Sequence, residues 1–238
     1  DQLLPFIVGT KVSSISRATL RETLVYRPPI KESVKIVATL LDMDIYITAL
    51  DKLIEKKQNI KKGVMRSLLT GKHRLPGFQG EWVERSLGEL IPNLQMGQSP
   101  NSRFYNSETI GLPLIQRNAD IEDRKTKIRN YTSQITKTAR VGDYVMTVRA
   151  PVGNIAKVTF DCCLGRGVCG FSYPNDYLYH WFVFNESSWK SLSTGSTFDS
   201  ISGDQLRKVV IRLPQEELEQ YSIATILSDL DSEIAILS

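Results

Sequence analysis

The segment LQMGQSPNSRFYN (Leu94 to Asn106) concentrates Gln95, Gln98, Ser99, Asn101, Arg103 and Tyr105, and IQRNADI (Ile115 to Ile121) adds Gln116, Arg117 and Asn118. These residue types can read a base edge. Arginine bonds guanine bidentately, asparagine and glutamine do the same with adenine, and serine, threonine and tyrosine mostly hold phosphates. Taken singly, each is also at home in a solvated loop, so the clustering is what points to nucleic acid. The nearby run DRKTKIR (Asp123 to Arg129) carries four cations, suited either to neutralising phosphates or to protecting an exposed strand edge.

Catalysis has no comparable seat. GRGVCG (Gly165 to Gly170) matches GxGxxG literally, but a dinucleotide fingerprint opens a helix after a strand, and Phe171, Tyr173 and Pro174 follow here. The sequence contains no GxxxxGKS/T, HExxH or GxSxG motif and no Asn-Pro-Pro-aromatic tetrapeptide. The two histidines, His73 and His180, stand near no plausible nucleophile, and the carboxylates are scattered, so no general acid-base pair is apparent. Cys162, Cys163 and Cys169 are an odd number within eight positions. That spacing suits reduced thiols in a strand-rich core, and no second ligand pair completes a zinc site. No cofactor or metal is expected.

With 238 residues, 41% of them hydrophobic and 24% charged, the chain can bury one core, or one core plus an extended helical appendage. The net charge of +4 decides nothing by itself, but its distribution is uneven. Between Asp51 and Arg74 eight cations face two acids, which reads either as a solvated helix face or as one turned to nucleic acid. The longest apolar run, around Val37 to Leu41, falls well short of the roughly 20 residues of a membrane span. The first residues lack the basic-then-apolar order of a signal peptide, so a cytoplasmic location is the expectation.

The elements that must position these residues announce themselves through a repeat. Offset by 186 residues, GTKVSSISRATLRETLVYRPP from Gly9 matches GSTFDSISGDQLRKVVIRLPQ from Gly195. In the same register, Val37 to Leu50 matches Ile223 to Ile236. Each copy runs from a Gly/Ser/Thr-rich turn into a β-prone stretch (Leu24 to Tyr26; Val209 to Leu213), then a proline and a helical pattern with acids in its first turn. The first helix is predicted over about Ile30 to Leu69, roughly 60 Å at 1.5 Å per residue. Its apolar positions Val37, Leu40, Leu41, Ile47, Leu50, Leu53, Ile54, Ile60, Val64 and Leu68 call for a partner, most simply an antiparallel coiled coil with the second copy, or else a globular core. Gly71 ends this helix, and the Gly/Pro-rich stretch to Trp82 reads as a linker. Beyond Ser86 short β-prone runs (IGLPLIQ, DYVMTVRA, NIAKVTF, HWFVF) alternate with turns, predicting a strand-dominated α/β domain of about 130 residues.

At GDYVMTVRAPVGNIAKVTFDCCLGRGVCGF (Gly142 to Phe171) the chain resembles the target recognition domains of type I restriction-modification specificity subunits, in which a GD-hydrophobic-S/T-x-R-A-P-x-G hairpin precedes a C-x-G-R-G turn. LGEL at Leu87, GQSPN at Gly97, TGSTFDSIS at Thr194, the LPxxE start at Leu213 and MRSLLTGKHRLPGFQGEW from Met65 extend the resemblance over essentially the whole chain. A complete subunit of that family has two recognition domains and two long helices. The resemblance therefore implies a fragment or half-subunit, divided as follows: 1–29, tail of a preceding recognition domain; 30–75, central spacer helix; 76–85, linker; 86–213, target recognition domain; 214–238, start of a second spacer helix.

The implied function is non-catalytic reading of one half of a bipartite double-stranded DNA target, with the helices spacing the half-sites and docking methyltransferase (modification) and restriction subunits. Self-pairing through the helices is a further implied arrangement. By carry-over Gln98, Ser99, Arg149 and the loop holding Thr194, Ser196, Thr197 and Ser200 become candidate contacts. Arg149 has a competing reading as a buried arginine bracing its hairpin through Asp143. Two other functions stand against this one: a coiled-coil adaptor without DNA affinity, and a stand-alone DNA-modifying enzyme. Because each helical turn displaces one reader by about 5.4 Å, lengthening the first helix by four residues is expected to change the number of unspecified base pairs between half-sites and leave the half-sites unchanged. Mapping methylated positions in the assembled complex checks this; unchanged spacing would count against the helix as a ruler.

Overall fold

The computed structural model describes residues 16–24, 27–192 and 200–237. Its contacts divide the chain into two units, 1–53 and 54–238. In the first, α1 (Arg17–Glu22) is capped by Ser16, whose hydroxyl accepts from the Thr19 N–H at 3.0 Å. The second helix, α2 (Ile30–Leu68), starts after Pro28 and Pro29 and crosses from the first unit into the second. Its length agrees with the sequence expectation. Its apolar positions in the first unit, Val37, Leu40, Leu41, Ile47, Leu50 and Leu53, are exposed, and burial begins with Met65 and Leu68. The repeat thus places one pattern in two environments, because Ile223, Ala224 and Leu227, the counterparts of Val37, Ala38 and Leu41, are buried.

In the second unit the Gly/Pro stretch leads into β1 (Trp82–Ser86), which pairs antiparallel with β13 (Val210–Pro214), Trp82 opposite Pro214. The stretch read as linker thus ends in a strand, and the compact unit takes in the second half of α2 as well. Pro214, expected to open a helix, closes β13 instead, and α7 (Glu217–Leu237) starts three residues later. Between β1 and β13 the order is α3 (Leu87–Leu90), β2 (Gln95–Met96), β3 (Tyr105–Asn106), β4 (Leu112–Ile115), β5 (Ile121–Glu122), β6 (Lys125–Thr126), β7 (Tyr131–Thr132), β8 (Lys137–Ala139), β9 (Tyr144–Thr147), β10 (Ile155–Lys157), β11 (Cys162–Leu164), β12 (Val168–Phe171), α4 (Tyr177–Phe184), α5 (Glu186–Leu192) and α6 (Gly203–Arg207). A six-stranded sheet has the order β2-β12-β9-β10-β6-β5 and a five-stranded one β3-β7-β4-β11-β8. The fold is α+β and strand-rich, as the sequence implied.

The six-stranded sheet is covered on both faces, and its strands show why. Along β9, Tyr144 and Met146 join a core built with α3, α4, α6 and α7, while Val145 joins a second core shared with Ile115, Cys162 and Leu164 of the five-stranded sheet. Strands buried on two faces read as unbroken apolar runs, which is what YVM and CCL are. All three cysteines are free and buried, and burial pushes the Cys162 and Cys169 thiols up to about 12. The run HWFVF, expected as a strand, is instead the end of α4. Tyr177, Leu178, Tyr179, His180 and Phe182 are all buried, so the segment is apolar around its circumference and shows neither helical nor strand periodicity.

Helix α7 packs Ile223, Ala224 and Leu227 into the first core beside α4 and β13. It runs antiparallel to the second half of α2, to which the Lys57–Glu233 and Lys61–Asp231 ion pairs join it. At its start Arg74 donates two hydrogen bonds, 2.6 and 2.7 Å long, to the buried Glu219 carboxylate. Between α4 and α7 lies a polar cluster. His180 Nε2 stands 3.0 Å from Ser228 Oγ, Ser228 and the Tyr144 hydroxyl donate to Asp176, and Lys157 pairs with the same carboxylate. Burial alone would raise Asp176, but Lys157 and Tyr144 outweigh it and hold the carboxyl below its ordinary range. Burial pushes His180 down to about 4, against opposing attraction from Asp231 and Asp176, with Lys61 and Lys157 reinforcing the fall.

The folded chain therefore keeps His180 neutral where the unfolded chain, with an ordinary imidazole near 6.5, binds a proton. Stability contributed by this site falls as pH drops from about 6.5 towards 4 and then levels off, by about 3 kcal/mol at the outside. Urea unfolding at pH 7, 5 and 4 is expected to show a smaller loss for His180→Asn than for the unchanged chain. Equal losses would remove His180 as the source.

Candidate nucleic-acid interface

Four strands deliver their C-terminal ends to one place. β4 and β11 are parallel, with Leu164 opposite Ile115. β2 and β9 each run antiparallel to β12, with Met96 opposite Cys169 and Thr147 opposite Val168. The chain passes from β11 to β12 through Gly165, Arg166 and Gly167. The loops leaving these strands thus converge although they are remote in sequence. They form two adjoining clefts. One, of about 280 Å³, is lined by Ser99, Gln116, Arg117, Asn118, Arg149, Ala150, Arg166 and Gly167. The other, of about 570 Å³, shares Ser99, Gln116 and Arg166 and adds Gln98, Pro100, Asn101, Ser102, Tyr105, Gln134 and Thr136.

The loop after β4 is held by a buried carboxylate. Asp120 is 2% exposed and accepts from the Gln116 and Arg117 N–H groups at 3.0 and 3.2 Å, with the Arg117 and Arg129 guanidiniums 3.6 and 3.9 Å away. Gln116 is held at its tip by the Tyr105 hydroxyl, 3.2 Å from its Oε1, and Asn118 Oδ1 accepts from Asn154 at 2.6 Å. Against this loop lies the GRG turn. A Cβ at Gly165 would overlap the Gln116 side chain, and one at Gly167 the Gln116 carbonyl oxygen. The glycines of the spurious dinucleotide motif thus permit a close backbone approach that seats Arg166 where the two clefts adjoin. The Arg166 N–H donates to Ser99 Oγ at 3.1 Å, fixing the third loop to the same turn.

Arg149 is exposed at the end of β9, and its backbone bridges Ser200. The alternative of a buried brace does not hold, because Arg149 is exposed and makes no ion pair with Asp143, which accepts from the Arg140 N–H at 2.8 Å. Among the described residues no carboxylate lies within ion-pairing distance of Arg149 or Arg166, so both present free guanidiniums to the cleft. Gln98 is exposed at the rim, and its carbonyl accepts from the Thr136 hydroxyl. Asn101 caps the short turn at Ser102 by accepting from the Arg103 N–H at 3.1 Å.

Three described sequence candidates, Gln95, Arg103 and Ser200, line neither cleft, Ser200 being the backbone partner of Arg149. Gln95 donates its amide to the Thr138 carbonyl at 2.6 Å and ties one sheet to the other, and the Arg103 guanidinium lies over the Phe104 ring at 4.7 Å. Thr194, Ser196 and Thr197 lie outside the described residues. The DRKTKIR cations are largely matched internally: Arg124 pairs with Glu186, Lys127 with Glu122, and Arg129 donates to the Ala119 carbonyl at 2.6 Å. Sequence reasoning missed Arg166, Gln134 and Thr136. For Arg166 the signal was available, since an arginine between two glycines in a turn is held out from the backbone; its segment was weighed as a nucleotide fingerprint and as a C-x-G-R-G turn, but its side chain was not taken as a contact.

What these loops can do is offer amide and guanidinium groups, fixed from behind by Asp120, Tyr105 and Ser99, to the edge of an ordered polar ligand. Among the described residues no group of His, Cys, Asp and Glu could hold a metal ion, and no helix is long and apolar enough to cross a membrane.

The chain is similar to a type I restriction-enzyme specificity subunit designated MjaX from Methanocaldococcus jannaschii, 32% identical over 94% of this chain and 56% of that protein. It is similar too to the crystal structure of the HsdS subunit from Thermoanaerobacter tengcongensis, at 30% identity and a TM-score of 0.61, over 99% of this chain and 60% of that one. A chain solved in work on complex assembly and conformational transition of the type I R-M system matches at 31% identity and a TM-score of 0.65, over 96% and 59%. The chain thus spans a little over half the length of each. The model of the family described as type I restriction modification DNA specificity domain covers residues 79–238, β12 and its converging loops included, and the chain belongs to that family.

Proposed function

We propose that residues 54–238 read one half of a bipartite double-stranded DNA target in the major groove, and that the chain acts as part of a non-catalytic specificity subunit of a type I restriction-modification system. The observation that carries this reading is the convergence of Gln98 and Ser99, Gln116 to Asn118, Arg149 and Arg166 from four loops onto adjoining clefts. Arginine and amide side chains held at fixed positions are what discrimination of guanine and adenine requires. Docking of methyltransferase and restriction subunits falls to the helices, whose long exposed apolar face suits protein partners.

Selection of bound duplexes from a randomised pool by the purified chain, followed by sequencing, tests the reading. A short base-specific motif is expected. Arg149→Ala and Arg166→Ala are each expected to relax preference at one base pair by about 1–3 kcal/mol while leaving the remaining positions selective. Uniform weakening across all sequences would reassign that arginine to a phosphate. No enrichment, with affinity indifferent to salt, would sink the reading.

A further inference from the structure

The cationic stretch of α2 splits into two faces. Lys57 and Lys61, one turn apart, pair with Glu233 and Asp231 of α7. Lys62 and Arg66, also one turn apart but rotated to the neighbouring face, are exposed and have no acidic partner among the described residues. Both line an open cleft of about 890 Å³, to which Asn118 and Asn154 contribute amides and Val152 and Phe184 an apolar lining. The acid in this cleft, Glu186, is already neutralised by Arg124, so the two α2 cations set its sign. Asn118 also lines the smaller reading cleft, which makes the two surfaces continuous. The chain Glu186–Arg124–Asn154–Asn118 runs along the shared wall, with Arg124 3.1 Å from Asn154 Oδ1.

We infer that this cleft binds the sugar-phosphate backbone of the same DNA, with Lys62 and Arg66 each contacting a phosphate beyond the bases that the loops read. The inference rests on the DNA-reading function proposed above. A backbone fits the lining: phosphates match two cations one helical turn apart, amides can donate to phosphate oxygens, and deoxyribose tolerates apolar side chains. Such contacts carry no sequence information. They anchor the reader's register on the duplex and pass the spacer helix along the strand that leaves the half-site.

The experiment compares the full chain with Lys62→Gln/Arg66→Gln on its selected duplex and on a scrambled one across a salt series. Removing two phosphate contacts is expected to make log K against log salt shallower by about 1.8, and each single change by about 0.9, with the ratio of selected to scrambled affinity unchanged. Lys62→Arg/Arg66→Lys is expected to keep the full slope, which guards against loss of fold in the glutamine variants. If the unchanged chain binds DNA steeply and selectively and the glutamine variants keep the same slope, this cleft is no phosphate site and the reading function stands. An altered base preference in the variants would likewise overturn the proposal by making the pair base readers. Retained slope with lost co-purification of the methyltransferase subunit would assign the cleft to a protein partner. If the unchanged chain shows no salt-dependent binding, both readings fall together.

Discussion

Burial of the six-stranded sheet on both faces constrains everything else in the second unit. With apolar side chains of β9, β10 and β12 committed alternately to two cores, both faces are covered, the polar groups of one face (Tyr144, Lys157) are spent on Asp176 inside the packing, and an open polar surface is left to the strand ends. Topology then decides which ends meet. Parallel pairing of β4 with β11, and the common antiparallel partner of β2 and β9, bring four loop exits to one side. The polar residues there are held by few but specific contacts, the Asp120 carboxylate and the Ser99 hydroxyl foremost, so a rigid sheet transmits its order to irregular backbone.

The same logic explains the glycines. Gly165 and Gly167 are small because Gln116 lies against them, and the short distance is what lets a turn from one strand pair and a loop from another present side chains as one surface. Gly153 is set similarly: its φ of +95° suits glycine, and a Cβ there would stand 2.6 Å from the Trp189 indole. Clearance for a neighbour accounts for all three, including Gly165 and Gly167, which motif matching alone would credit to a nucleotide.

Much of the fold was legible because local rules and global packing agreed. The long helix, β4, β9, β10 and β13 sit where periodicity and turn residues placed them, and the repeat located both helices. What was not legible depended on distance. HWFVF carries no period because α4 has buried residues all round its circumference, and Pro214 was taken for a helix opener because β1, its partner, lies over 120 residues earlier. At the clefts, residue type picked out loops that converge in space but could not separate Gln95, whose amide is consumed by Thr138, from Gln98, whose side chain is exposed. That distinction is made by which strand happens to lie opposite, information that no local pattern contains.

The two charged faces of α2 carry a consequence for how this helix can diverge. From Lys57 to Arg66 its angular phase is fixed twice over, once by the acids of α7 and once by the cleft beside Asn118, and an inserted residue there would turn both faces by about 100°. Before Ile54 no such double registration exists among the described residues. A change of length in the first part of the helix therefore leaves these contacts in place, whereas one in the second turns both faces away from their partners.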